Sequence, residues 1–187
     1  MYYIVKYSSQ FGFIKPWTAV RDGLTFSQQF LTASTVEGIE KKLFPELLDS
    51  KGIFKIKAYK LVYDAMDLQQ EVVHTRGVKQ DKKTKKISRD YSIIKRGVLL
   101  NPIFTLAFAN HDDAYIASKQ HICLCRNEDV LLPSPEIDNI SEADFDKLPG
   151  FELKFGKTEN SFMVGFNRYD DAKPMFGEIS VNLNNDL

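Results

Sequence analysis

The sequence predicts an α+β fold: a β-α-β-β-α-β core from which a long, basic β-hairpin projects. Three observations predict it. An amphipathic helical pattern beginning at Ser34 separates two β-prone segments, 1–14 and 53–63. Two further β-prone stretches, 68–78 and 87–108, flank a lysine-rich polar tip. A short helix pattern ending at Ser118 and another strand at 121–126 follow.

Each element has a local reason. Residues 1–14 are apolar, aromatic and β-prone, which marks a first strand. Residues 15–33 form a loop that carries Lys15, Pro16, Trp17, Arg21, Phe26 and Phe30. Ser34 stands three residues before Glu37, the spacing of a capping box. Behind it Val36, Ile39, Leu43 and Leu47 fall on one helical face, and Pro45 ends or kinks the helix near Phe44. Residues 53–63 then alternate, Phe54, Ile56 and Ala58 against Lys55, Lys57 and Tyr59, as a strand with one wet face does.

The next strand runs into Asp81-Lys82-Lys83-Thr84, a polar tip, and the chain returns through Tyr91, Ile93, Val98, Leu99, Ile103, Phe104, Leu106 and Phe108. Pro102 places a bend or an edge in the return. Asp112 or Asp113 caps the short helix. Pro133, Pro135 and Pro149 punctuate an acidic loop segment over 127–150. Phe151–Phe155 and Ser161–Phe166 read as a closing hairpin, and residues 175–183 as one added strand. This order matches a ferredoxin-like, RRM-like core with an inserted arm, a scaffold that many RNA-binding modules use. The whole chain, 1–187, reads as one domain, with the arm at 69–98 and an acidic, β-rich extension at 127–187.

Composition narrows the class. Hydrophobic residues make up 43% of the 187, enough for a core without disulfide staples, and charged residues 27%. No apolar run approaches the ~18 residues of a membrane helix, and the start lacks the features of a signal peptide. Cys123 and Cys125 alternate along one strand, and a reduced, cytoplasmic setting is the simple reading. His121, Cys123 and Cys125 share a strand face, but structural zinc takes four ligands, usually from turns, so these read as core residues and no metal or cofactor is expected.

The net charge of zero hides two opposed regions. Residues 76–96 carry a net +7, and residues 127–187 a net −8. The first suits a polyanion and the second a basic protein partner. In the arm, Arg76, Lys79, Lys82, Lys83, Lys85, Lys86, Arg89 and Arg96 can neutralise phosphates. In the first loop, Lys15, Trp17, Arg21 and Phe26 mix charge with rings on which unpaired bases can stack, although Trp17 and Phe26 also suit packing under the loop. Gly38 costs the helix about 1 kcal/mol relative to Ala; a phosphate approaching the helix start explains it, and tight packing explains it equally. Arg126 and Glu128 fit an ion pair closing a turn.

Three segments, in order, resemble the Cas-five family of RAMP-type proteins in CRISPR systems. The first joins Gly12-Phe13-Ile14-Lys15-Pro16-Trp17 to Phe26, Phe30 and Ser34-Thr35-Val36-Glu37-Gly38-Ile39. The second is Arg96-Gly97-Val98-Leu99-Leu100-Asn101-Pro102-Ile103-Phe104, and the third Leu124-Cys125-Arg126-Asn127-Glu128-Asp129. The likeness spans roughly residues 1–133, with Ala33 and Cys125 standing where the family often has Pro and Gly. It implies a non-catalytic subunit of a type I surveillance (Cascade) complex that binds the 5′ handle of the guide RNA and caps the backbone filament. The hairpin would act as a thumb on the RNA. The implied partners are the guide RNA, the backbone and large subunits and the target DNA held by the complex. The likeness makes Ser34 and Arg126 candidate RNA contacts beside the basic residues above. Some relatives process guide RNA without a metal, and His74, Tyr91 and Lys95 flank the arm as candidates for that chemistry.

Overall fold

A computed structural model of the chain describes residues 1–17, 23–74, 76–124, 126 and 128–182. The strands and helices, in chain order, are β1 (Tyr2–Ser8), β2 (Phe11–Gly12), β3 (Leu24–Phe26), α1 (Ala33–Leu43), β4 (Ile56–Val62), β5 (Ala65–His74), β6 (Lys79–Gln80), β7 (Ile87–Ser88), β8 (Tyr91–Leu100), β9 (Ile103–Phe108), α2 (His111–Ala117), β10 (Ile122–Cys123), β11 (Val130–Ile140), α3 (Glu142–Lys147), β12 (Gly150–Phe155), β13 (Phe162–Asn167) and β14 (Lys173–Asn182). It is a mixed fold of helices on antiparallel sheet.

The main sheet runs in the order β10-β11-β1-β9-β4-β12-β14-β13. Its centre, β11-β1-β9-β4, is antiparallel throughout. Val5, Tyr7, Tyr59, Leu61, Phe104 and Leu106 from these strands are fully or almost fully buried, together with Val36, Ile39 and Leu43 of α1. The pattern at Val36, Ile39 and Leu43 therefore does bury one helical stripe against the sheet, and α1 stops at Leu43, before Pro45.

Tyr59 is the hub. Its hydroxyl accepts from Leu31 N and Leu153 N, both at 2.9 Å, and donates to Leu31 O at 2.8 Å, while its ring stacks on Phe104. One side chain thus ties the loop before α1 to β12 through β4.

The start of α1 differs from the expected capping box. Thr32 is the N-cap, with no side-chain bond to the helix backbone, and Ser34 lies inside the first turn. The acids of α1 serve another need. Glu37 accepts from Lys41 Nζ at 2.9 Å and from Gly52 N at 3.1 Å. Glu40, fully buried, accepts from the amides of Phe54, Lys55 and Ile56 at 2.6–2.8 Å. Backbone amides entering a buried strand need acceptors, and that demand outranks a local cap.

The hairpin is present, and corners split both of its strands from the main sheet. β5 pairs with β8 over ten rungs, from Ala65↔Leu100 to His74↔Tyr91. On the outgoing side β4 ends and β5 begins around Asp64; on the return, Asn101 adopts a left-handed φ of 48° before Pro102. Asn101 Nδ2 donates to Asp64 Oδ2 at 2.8 Å, which locks the two corners together. β8 also pairs with β2 and, in parallel, with β3.

Two segments correct the sequence reading. The acidic stretch after 127 contains a long strand, β11, which pairs with β1 inside the main sheet. The register jumps from Val5↔Ile137 to Tyr7↔Pro133, so a bulge absorbs the residues between, Pro135 among them. It is β11, rather than the two-residue β10, that lies beside β1. At the C-terminal end β12 and β13 do not pair with each other; β14 runs between them. Periodicity reveals strands but not their neighbours.

Candidate nucleic-acid interface

The arm's tip is a built turn. Asp81 Oδ1 accepts from Lys83 N at 2.9 Å, Thr84 N at 2.7 Å and Thr84 Oγ1 at 2.9 Å. These bonds hold the Asp81 carboxyl below its usual pKa. Lys85 takes a left-handed φ of 59°, and its amide closes the turn on Asp81 O. The acid that interrupts the lysine run is thus spent on the turn. Lys82, Lys83, Lys85 and Lys86 stand exposed around it, as do Arg76, Lys79 and Arg89. Lys79 pairs with Asp90 and Arg96 lies near Glu71; among the described residues the other arm cations have no ion pair.

Two clefts share Lys15. One, of about 620 Å³, is lined by Lys15, Gly23, Thr25, Val73, His74, Arg76, Ser92, Ile94 and Arg96. The other, of about 410 Å³, is lined by Ile14, Lys15, Thr35, Gly38, Ile39, Lys42, Ile122, Cys123, Leu124 and Arg168. No described carboxylate lines either. Both volumes fall in the range of ligand-sized clefts. Burial pulls the Lys42 ammonium below its usual pKa.

The expected residues divide. Lys15, Arg76 and Arg96 converge on the larger cleft. Arg96 is mostly buried against Phe13, and its Nε has no hydrogen bond. Arg21 lies outside the described residues. Trp17 sits edge-on to Phe166, over Gly165, with 46% of its surface still exposed. Phe26 lies over Gly97, so close that a Cβ there would collide with its ring, which is why the strand carries a glycine.

Ser34 is withdrawn from the surface. It is 8% exposed, with its hydroxyl 3.2 Å from Thr32 Oγ1, and its neighbour Thr35 faces the smaller cleft instead. Arg126 is committed to the protein. It donates to both oxygens of the fully buried Asp129, at 2.8 and 2.7 Å, to Gln69 at 3.2 Å and to Glu71, and it lies over the ring of Phe13. Glu128 comes within 3.4 Å, as the ion-pair reading expects. Its hydrogen bond to Asp129 raises the guanidinium pKa further. Arg126 and Arg96 thus flank Phe13 and share Glu71, pinning β5 to the turn before β11.

Thr35, Lys42 and Arg168 are cleft residues that the sequence reading missed. Gly38 was the signal for Lys42, since residues four apart share a helix face. A Cβ at Gly38 would meet Arg168 Nη2 at 2.5 Å and Tyr169 Oη at 3.0 Å, the movable ends of two long side chains. Nothing local in the sequence announces that Arg168, on the β13–β14 connection, returns to α1. Among the described residues no group of three or more His, Cys, Asp and Glu could hold a metal; Cys125 lies outside them. No described helix is long and apolar enough to cross a membrane.

No family model matches the chain, and no curated protein matches it in sequence. A solved structure described as a CRISPR RNA-guided surveillance complex contains a chain of similar fold. The TM-score is 0.54 at 10% identity, over 97% of this chain and 89% of that one. At that identity the likeness is one of fold.

Proposed function

We propose that the chain is a guide-RNA-binding, non-catalytic subunit of a CRISPR type I surveillance (Cascade) complex, similar to the Cas-five family. In this reading the order β11-β1-β9-β4 with α1 and α2 is the ferredoxin-like core, and the β5–β8 hairpin is its thumb. The RNA's 5′ handle lies along the tip lysines and enters the clefts at Lys15, and the chain caps one end of a backbone filament. The target DNA and the backbone and large subunits are partners in the same particle.

One observation carries the reading: an ordered turn displays Lys82, Lys83, Lys85 and Lys86, and the same hairpin helps wall a cleft lined by Lys15, Arg76 and Arg96 and free of described carboxylates. Exposed cations on a fixed frame attract a phosphate backbone and release its counterions. The shared fold with a chain of a surveillance complex supports the same assignment.

The test is guide-RNA binding across a salt series, with Lys82, Lys83, Lys85 and Lys86 changed to Ala. The log–log salt slope should shrink by about 0.7 for each phosphate that the variant no longer neutralises. An unchanged slope and affinity would remove the arm from the mechanism. The same incubations, in EDTA, decide the alternative of a metal-independent endoribonuclease. His74 and Tyr91 do face each other on one rung, 6.4 Å between ring centroids, but of His74, Tyr91 and Lys95 only His74 lines the cleft. The RNA should therefore stay intact; cleavage abolished in His74→Ala would establish the enzyme instead.

A further inference from the structure

The larger cleft is walled by two polar atoms that the protein itself leaves unused. Thr25 of β3 and Arg96 of β8 are neighbours across the two strands, and both line the cleft. Thr25 is only 7% exposed, and its hydroxyl is buried without a hydrogen bond among the described residues. Arg96 Nε is buried without one as well. Buried polar groups are almost always paired, so two orphans side by side on a cleft wall mark where an occupant completes the bonding. Valine has nearly the same shape and suits a strand as well, yet this position carries a hydroxyl.

The chemistry of the two atoms selects the group that meets them. Arg96 Nε–H only donates, whereas the Thr25 hydroxyl both donates and accepts. A phosphate oxygen could take both protons, but Glu71 Oε2 lies 3.9 Å from Arg96 Nε and repels an anion there. Phosphate also has exposed partners at the same cleft, Lys15 and Arg76, where it keeps its water. A neutral hydroxyl meets neither obstacle. It can accept from Arg96 and exchange a bond with Thr25 in either direction. Thr25 has no bond to give up, so turning its hydroxyl toward an occupant sacrifices none. Along an RNA strand the group of this kind is the ribose 2′-hydroxyl, which DNA lacks.

We infer that Thr25, together with Arg96, reads a ribose 2′-hydroxyl in the larger cleft and so makes the site select RNA over single-stranded DNA of the same bases. This rests on the RNA-binding reading and adds to it a discrimination that the lysines cannot supply, since they attract both polymers through the same phosphates.

The experiment titrates the full chain with the 5′-handle segment of the guide as RNA and as its 2′-deoxy counterpart with identical bases. The RNA should bind about ten-fold more tightly, the net effect of one hydrogen bond. Deoxyribose placed at one position at a time should assign that preference to a single nucleotide. Thr25→Val should close the gap by weakening the RNA, and Thr25→Ser should keep it. The free Thr25→Val chain should melt no lower than the unchanged one, because it loses a buried hydroxyl without a partner. Equal affinity of the unchanged chain for both oligonucleotides would overturn the inference and leave the RNA-binding reading standing. So would a preference that survives Thr25→Val, one that follows the base instead of the sugar, or a Thr25→Val chain that melts lower. Binding of neither oligonucleotide would sink the RNA-binding reading, and this inference with it.

Discussion

Arg126 shows how far a single residue can be read before its neighbours are known. As a cation in a turn it fits an RNA contact as well as an ion pair. The structure surrounds it with Asp129, Glu71, Gln69 and Glu128 and leaves 15% of its side chain exposed. Asp129 is fully buried, so deleting Arg126 removes its ion-pair partner among the described residues and strands the charge. Arg126→Ala should therefore destabilise the fold by about 3 kcal/mol, read by urea denaturation, and Arg126→Lys should restore only part because an ammonium cannot reproduce the fork. A loss of RNA affinity with unchanged stability would reverse this assignment. Pair partners so distant in sequence as Glu71 and Arg126 leave no local pattern, which is why the sequence could not choose between the two roles. The lysines of the tip were legible for the opposite reason: their exposure follows from a short local turn, which Asp81 closes from within.

At the scale of elements, local pattern and the one hairpin were legible, and pairing across the main sheet was not. The helix stripe of Val36, Ile39 and Leu43 and the ladder of β5 with β8 follow from periods that any window of sequence displays. The strand β11 did not, because Pro133 and Pro135 argue against a ladder, and the bulge that receives Pro135 is decided by the partner strand. The α1 acids make the same point. Glu37 looked like half of a capping box, yet Glu37 and Glu40 cap the loop entering β4. Glu40→Ala would leave the amides of Phe54, Lys55 and Ile56 without acceptors. At about 1–3 kcal/mol for each unsatisfied group, partly relieved by water, the destabilisation should be about 3 kcal/mol, with earlier amide exchange in 52–58. Exchange confined to α1 would contradict that link.

Taken whole, the molecule separates its charge by architecture. The basic hairpin leaves the main sheet at the corner locked by Asn101 and Asp64, and the acidic segments stay in the sheet as β11, α3 and the strands after it. Compactness comes from long-range ties such as Tyr59 to Leu31 and Leu153, and Lys15 lines clefts against both the arm and α1. The central claim is that this geometry receives a guide-RNA backbone. The most direct measurement is a cryo-electron microscopy map of the assembled particle. The predicted result is ribose-phosphate density within hydrogen-bonding reach of Lys15, Arg76 and at least two of Lys82, Lys83, Lys85 and Lys86. A map in which the hairpin tip stands in solvent, with the RNA bound elsewhere or missing, would contradict it.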